Sequence, residues 1–315
     1  MSDTALIDVH AHFVTQDYVA AARAAGHEHP DGMPAWPSWS LTSQLEDMDR
    51  RGIAHAVLSI SSPGVHFGDD DRAAELAREL NDEAAAMVTA HPDRFSYFAS
   101  LPVPDVEGAV QEAARALGRK GAVGVVLESN AHGQYLGDPS LDPLWAELDA
   151  RNAAVFVHPT SPADWEETAL GRPRPMLEFM FDSSRSIVDL VFAGVLDRYP
   201  NLRVVVPHSG ATLPILSDRI AMFQRVFGSG TGAMPWHEAM QRLWFDTAGT
   251  PFPTSVPVLT GMAGTEHLLY GSDSCWTPAN GVDAQIAAID AAVPPHGAGS
   301  WRELTTRNAR RLFAR

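Results

Sequence analysis

A single cysteine, Cys275, occurs in 315 residues, which excludes an intrachain disulfide and any multi-thiolate metal site and suits a reducing compartment. Standing alone, it reads as a small core residue rather than a nucleophile. Cations are outnumbered, 23 Lys and Arg against 39 Asp and Glu, for a formal net charge of −16 and a pI near 5.1. That balance argues against nucleic acid or an anionic membrane as a partner, and a substrate anion would need local positive charge to hold it. No apolar run is long enough to span a bilayer, and no basic segment followed by a hydrophobic core and a cleavage site opens the chain. The expectation is a cytoplasmic protein. Two motifs are also missing. No glycine-rich phosphate turn follows "IDVH", which weighs against a doubly wound sheet. No G-x-S-x-G occurs, and Ser209 in "HSGAT" lacks a recognisable base arrangement, which weighs against a serine hydrolase.

What the chain does contain is an ordinary globular balance, 45% hydrophobic and 20% charged, arranged in a repeating order. β-Branched or aromatic runs at 5–9, 53–60, 94–101, 122–127, 153–158, 202–208, 243–247 and 267–272 alternate with amphipathic stretches at 41–51, 71–90, 106–117, 141–151, 183–199, 213–227, 256–262 and 282–292. Eight strands each followed by a helix predict an α/β fold, a (β/α)8 TIM barrel, as one domain over residues 1–315. Two segments are longer than ordinary connections, Phe13–Ser40 after the first strand and Thr160–Asp182 after the fifth. Both fall on the face where barrel enzymes build their sites, and both are expected to be lids.

The opening "ALIDVHAHF" sets two histidines one residue apart at a strand end, and alternation along the strand aims His10 and His12 at one point. In a barrel the C-terminal strand ends converge. The mouth would therefore collect His10, His12, His158 from "VFVHP", His208 from "VVVPHSG", Asp246 from "FDT" and Asp273 from "YGSD". Imidazole nitrogens with a carboxylate oxygen suit Zn²⁺ or a similar divalent ion, and a catalytic site keeps one position open. A second His-x-His pair in "GHEHP", His27 and His29, has no strand to orient it and is expected in a solvated lid. His66 and His132 follow strands two and four as loop residues that could contact substrate.

The order of His-x-His, His after strand five, His after strand six and Asp after strand eight resembles the amidohydrolase superfamily. Within it the chain is similar to the branch of aminocarboxymuconate-semialdehyde decarboxylase and the hydroxybenzoate and 6-methylsalicylate-type decarboxylases. "IDVHAHF", "LEDMDRRGI", "HPDRF", "ASLPVPD", "VFVHP", "GVLDRYPNLRVVVPHSGATLP" and "YGSD" fall in the family's order almost end to end. The resemblance implies that His10, His12, His158 and Asp273 bind one divalent metal, Zn²⁺ with Mn²⁺ as the alternative. His208 would be the acid–base group at the open position and would share the catalytic role with Asp273. It also implies a homodimer, with Arg219 at a helix or an interface.

Two departures bear on substrate. The semialdehyde decarboxylase holds a carboxylate with an arginine where this chain has Gln44, and Lys120, the only lysine, precedes strand four and cannot be the carboxylated lysine of two-metal relatives. The expected activity is metal-dependent, non-oxidative decarboxylation of a small aromatic or unsaturated carboxylic acid. Trp36, Trp39 and Trp276 are candidates to frame a flat ring, and Arg172 and Arg174 to meet an anion. Hydrolysis of an amide or lactone is the second reading, and a metal-holding barrel without catalysis the third.

Overall fold

The computed structural model describes residues 5–228 and 233–314; the remainder of the expected 1–315 domain lies outside the described residues. Seven parallel strands form one curled sheet in chain order: β1 (Leu6–His12), β2 (Ile53–Ser59), β3 (Phe95–Ser100), β4 (Ala122–Glu128), β7 (Ala154–His158), β8 (Arg203–Val206) and β9 (Trp244–Phe245). Strands β5 (Asn130–Ala131) and β6 (Gln134–Tyr135) make a separate small antiparallel hairpin. The expected eighth strand is not a regular one. Residues 268–274 make single parallel bridges, Leu268 to Phe245 of β9 and Tyr270 and Ser274 to Asp8 and Ala11 of β1. One irregular segment thus touches both edges of the sheet. Just past the expected strand, Asp273 adopts a left-handed φ of 56°, which turns the chain out of strand geometry there.

Parallel sheets are covered on both faces, and here the core falls into two groups. Inside the curl, Ile7, Val9, Val57, Phe98, Phe156, Val205 and Leu269 pack together, with Phe98 stacked on Phe156 at 5.4 Å across the intervening strand β4. The C-terminal helix Trp301–Phe313 adds Ala309 and Leu312 to this group, and its Asn308 bonds the carbonyls of Thr265 and Leu268. Outside, the helices bury their apolar stripes against the opposite face. Their starts are set by local chemistry: Ser40, Asp69, Asp105 and Ser300 each accept a backbone N–H from the first turn of the helix that follows. No described helix is long and apolar enough to cross a membrane.

Helical structure departs from the expected stretches at several places. Gln16–Ala24, capped by Thr15, lies within the first long segment. The second long segment ends early, because the next helix begins at Glu178, and Gly194 at φ 72° then breaks the expected 183–199 helix after Phe192. Trp236–Arg242 forms a further short helix ahead of β9.

Candidate metal centre

Four side chains meet at the C-terminal end of the sheet. His10 and His12 close β1, His158 closes β7 and Asp273 follows the bridging segment. Their donor atoms all lie within 4.8 Å of one another. Asp273 Oδ1 stands 3.4 Å from His10 Nε2 and 3.3 Å from His12 Nε2, while its Oδ2 stands 3.5 Å from His208 Nε2.

The histidine orientation depends on a break in β1. Ile7 and Val9 face the inner core, Ala11 belongs to the outer core, and His10 packs edge-on against the inner Phe156 at 4.8 Å. The facing therefore inverts after Val9, where the register against β2 shifts between Asp8 and Ala11. That irregularity turns both imidazoles inward.

Each imidazole is anchored through its other nitrogen. His10 Nδ1 bonds Asp246 Oδ2 at 2.8 Å, with both side chains fully buried, and His12 Nδ1 donates to the Ser59 carbonyl at 3.2 Å. His158 Nδ1 lies 3.3 Å from the Ser62 N–H and 3.4 Å from Glu128 Oε2. With these bonds made, Nε2 of His10 and of His12 are buried with no hydrogen-bond partner among the described residues. Orphaned lone pairs converging on a carboxylate are costly unless a cation meets them, so the donor set fits a divalent metal. Burial opposes charge on His12 and holds it below its ordinary range, and burial with the neighbouring imidazoles holds His158 well below. Both directions favour the neutral imidazole that a ligating histidine needs. Burial works against ionised Asp273 as well, but His10, His12 and His208 outweigh it and hold the carboxyl well below its usual range.

Asp246 does more than end a strand. Its Oδ1 accepts the backbone N–H of His208 and of Ala248, both at 2.9 Å, so one carboxylate fixes His10 and the start of the His208 turn. Asp8, pushed up to about 6 by burial, accepts the N–H groups of His10 and Ser272 and ties β1 to the bridging segment. Neither role was legible in sequence; the "FDT" strand end was the only pointer to Asp246. His208, Ser209, Ala211 and Asp273 all hold left-handed φ values between 53° and 56°. Strain of this kind, about 1–3 kcal/mol at a residue, gathers where side-chain placement is functional.

A cavity of about 490 Å³ adjoins the centre, lined by His158, His208 and Asp273 and by the apolar side chains of Met33, Met176, Phe179, Met180 and Trp276. Trp276 donates its indole N–H to Ser61 Oγ at 2.6 Å. The other sequence candidates lie elsewhere. Trp36 packs on Trp276 and Tyr18 and bonds the His27 carbonyl, and Trp39 packs on Phe13 and bonds Gln44, itself buried. Arg172 is exposed, while Arg174 lines a neighbouring chamber together with His66 and His132. Arg219 lies over Phe223 on the helix Leu213–Phe227. Burial raises the Cys275 thiol to about 12, which leaves no thiolate for nucleophilic work.

The chain resembles known proteins over nearly its whole length. A curated relative, the 6-methylsalicylic acid decarboxylase acuB of Aspergillus aculeatus, is 34% identical over 324 residues, covering 98% of this chain and 96% of its own. A crystal structure described as an amidohydrolase II superposes with a TM-score of 0.91 at 35% identity, covering 98% of this chain and 99% of the other. The 5-carboxyvanillate decarboxylase of Novosphingobium aromaticivorans, solved with manganese and 4-hydroxy-3-methoxy-5-nitrobenzoic acid, shares the fold at a TM-score of 0.86 and 22% identity, over 99% and 97% of the two chains. The amidohydrolase family model matches residues 7–315, from β1 to the C-terminal helix, and the chain belongs to that family.

Proposed function

We propose that the protein is a metal-dependent decarboxylase of a small aromatic carboxylic acid, built as a (β/α)8 barrel that residues 268–274 close, with 13–40 and 160–182 as lids. His10, His12, His158 and Asp273 hold the metal. The observation that carries the reading is the meeting of these four groups with His208 beside an apolar-lined cavity, in a chain whose relative over nearly its whole length is a 6-methylsalicylic acid decarboxylase. Zn²⁺ remains our choice for a three-histidine, one-carboxylate set, with Mn²⁺, the ion in the carboxyvanillate enzyme, as the alternative.

A divalent ion held by His10, His12, His158 and Asp273 would supply Lewis acidity for a substrate carboxylate. Trp276 and Phe179 flank the ring, and the methionines fit its apolar edge. His208 stands within the same cavity, its Nε2 beside Asp273 and its backbone held by Asp246. From there it delivers a proton to the ring carbon. The carbon–carboxylate bond breaks, its electron pair takes up that proton, and CO₂ leaves. Asp273, held ionised, keeps the opposing imidazole oriented. A homodimer is part of the proposal, since Ile215, Val226 and Phe227 on the helix Leu213–Phe227 are each more than two-thirds exposed.

The test is turnover of a hydroxybenzoate panel by metal-loaded protein in D₂O. Deuterium should appear at the carbon that loses CO₂. Turnover confined to amides or lactones, with ¹⁸O from water entering the product acid, would replace this reading with hydrolysis.

A further inference from the structure

Beside the metal cavity lies a second chamber of about 600 Å³, and Asp31 is common to the linings of both. Its walls include Val65, Leu101, Val126, Leu136 and Leu141, and its one arginine, Arg174, shares the lining with the acids Glu28, Asp31 and Glu128. The guanidinium of Arg174 is fixed on three sides. It lies over the Trp165 ring with its central carbon 3.9 Å from the centroid, and Nε donates to Ser161 Oγ at 2.9 Å. It also lies so close to Gly32 that a Cβ there would stand 2.7 Å from Nη1. Gly32 has a φ of +73°, so both its backbone conformation and its missing side chain make room for the arginine.

A cation stacked and pinned in this way normally meets a carboxylate. Arg174 has none within ion-pair distance among the described residues. Asp31, a buried acid of the chamber, is engaged instead by the Ser161 hydroxyl, which accepts from Arg174 Nε and donates to Asp31 Oδ1. Ser161 thus couples the two ionisable groups while leaving the terminal nitrogens of the guanidinium without an acid. Asp31 and Glu166 act on it only from longer range, and burial holds Arg174 below its ordinary range. Of the chamber's other two acids, Glu128 lies against His158 Nδ1 at 3.4 Å and Glu28 pairs with Arg23 at 3.4 Å.

We infer that this chamber is a second binding site, separate from the metal centre, for a small aromatic carboxylate whose two oxygens meet the terminal nitrogens of Arg174. The planar fork of arginine matches a carboxylate with two parallel bonds, and the aliphatic walls accept a flat apolar body. The volume is that of a small-molecule site. Occupancy here needs no metal and does not depend on the decarboxylase reading.

Equilibrium dialysis of the metal-loaded protein against benzoate tests this. Two benzoates should bind per chain, one in Arg174→Gln and one in His10→Ala, which lacks a ligand of the metal centre. Arg174→Gln should weaken its site about tenfold or more, Arg174→Lys should recover part of that loss, and Arg151→Gln, a surface arginine paired with Glu147, should bind like wild type. Circular dichroism of each variant checks its fold. Binding that is the same in Arg174→Gln and wild type overturns the inference, as does inorganic phosphate displacing benzoate from His10→Ala. A His10→Ala variant that still binds two benzoates would count instead against the metal-centred carboxylate site.

Discussion

Replacing Asp246 by Asn changes one atom of a carboxylate that touches no substrate, yet it should cost the centre most of its metal. Asp246 uses both oxygens, Oδ2 toward His10 Nδ1 at 2.8 Å and Oδ1 toward the N–H groups of His208 and Ala248 at 2.9 Å. An amide has only one oxygen. If it stays with the two backbone donors, the NH₂ group faces His10 Nδ1, and the imidazole must move its proton to Nε2. That nitrogen stands 3.4 Å from Asp273 Oδ1 and is the one aimed into the centre, so it loses the lone pair that a ligand needs. If the amide turns over, its NH₂ meets two N–H groups in a fully buried site, at about 1–3 kcal/mol for each donor left without a partner. Either outcome weakens metal binding by about 10- to 100-fold, the usual range for removing the partner of a ligating histidine. Competition against a chromophoric chelator measures this, and ¹⁵N NMR of the imidazoles reports the tautomer of His10. Wild-type affinity in a folded Asp246→Asn protein, with Nδ1 of His10 still protonated, would refute the reasoning.

His10→Ala and Asp273→Ala should each reduce the metal content from about one ion per chain to a small fraction by elemental analysis. His208→Ala should keep the metal and lose about a hundredfold or more in turnover; metal loss in that variant would make His208 a ligand instead. Burial holds His55 below its usual 6.5, against the pull of the Asp93 carbonyl. Between its folded value and 6.5 the unfolded chain binds more protons, so stability rises with pH through that window and is lost as pH falls. Denaturant midpoints between about pH 7.5 and 5.5 should therefore fall less in His55→Gln than in wild type. Trp236→Phe removes the indole N–H that bonds Ser217 Oγ at 2.6 Å in the core and should lower stability by about 1–3 kcal/mol in chemical denaturation.

The sequence by itself determined the strand and helix order, because β-branched runs and amphipathic stretches report burial at periods that neighbouring residues set. It also determined which residues end the strands, and hence the group of His10, His12, His158, His208, Asp246 and Asp273 from which the family resemblance picked the quartet of His10, His12, His158 and Asp273. Only the tertiary structure decided how they face. The inversion after Val9 that turns His10 and His12 inward exists because β1 must register with β2, and no residue within "IDVHAH" encodes it locally. The eighth strand was expected from its apolar run, but on folding it makes only single bridges, shared between β1 and β9. Asp246 stood in the sequence only as a strand-end carboxylate and nothing there marked Asp8, because their partners, His10 in one case and Ser272 in the other, lie far along the chain and come within hydrogen-bond reach only in the fold. The arginines followed the same rule. Arg172 and Arg174 are two residues apart in one long segment, yet one is exposed and the other is stacked on Trp165 and pinned by Ser161, because contacts across the fold, not the local chain, set the surroundings of a charge.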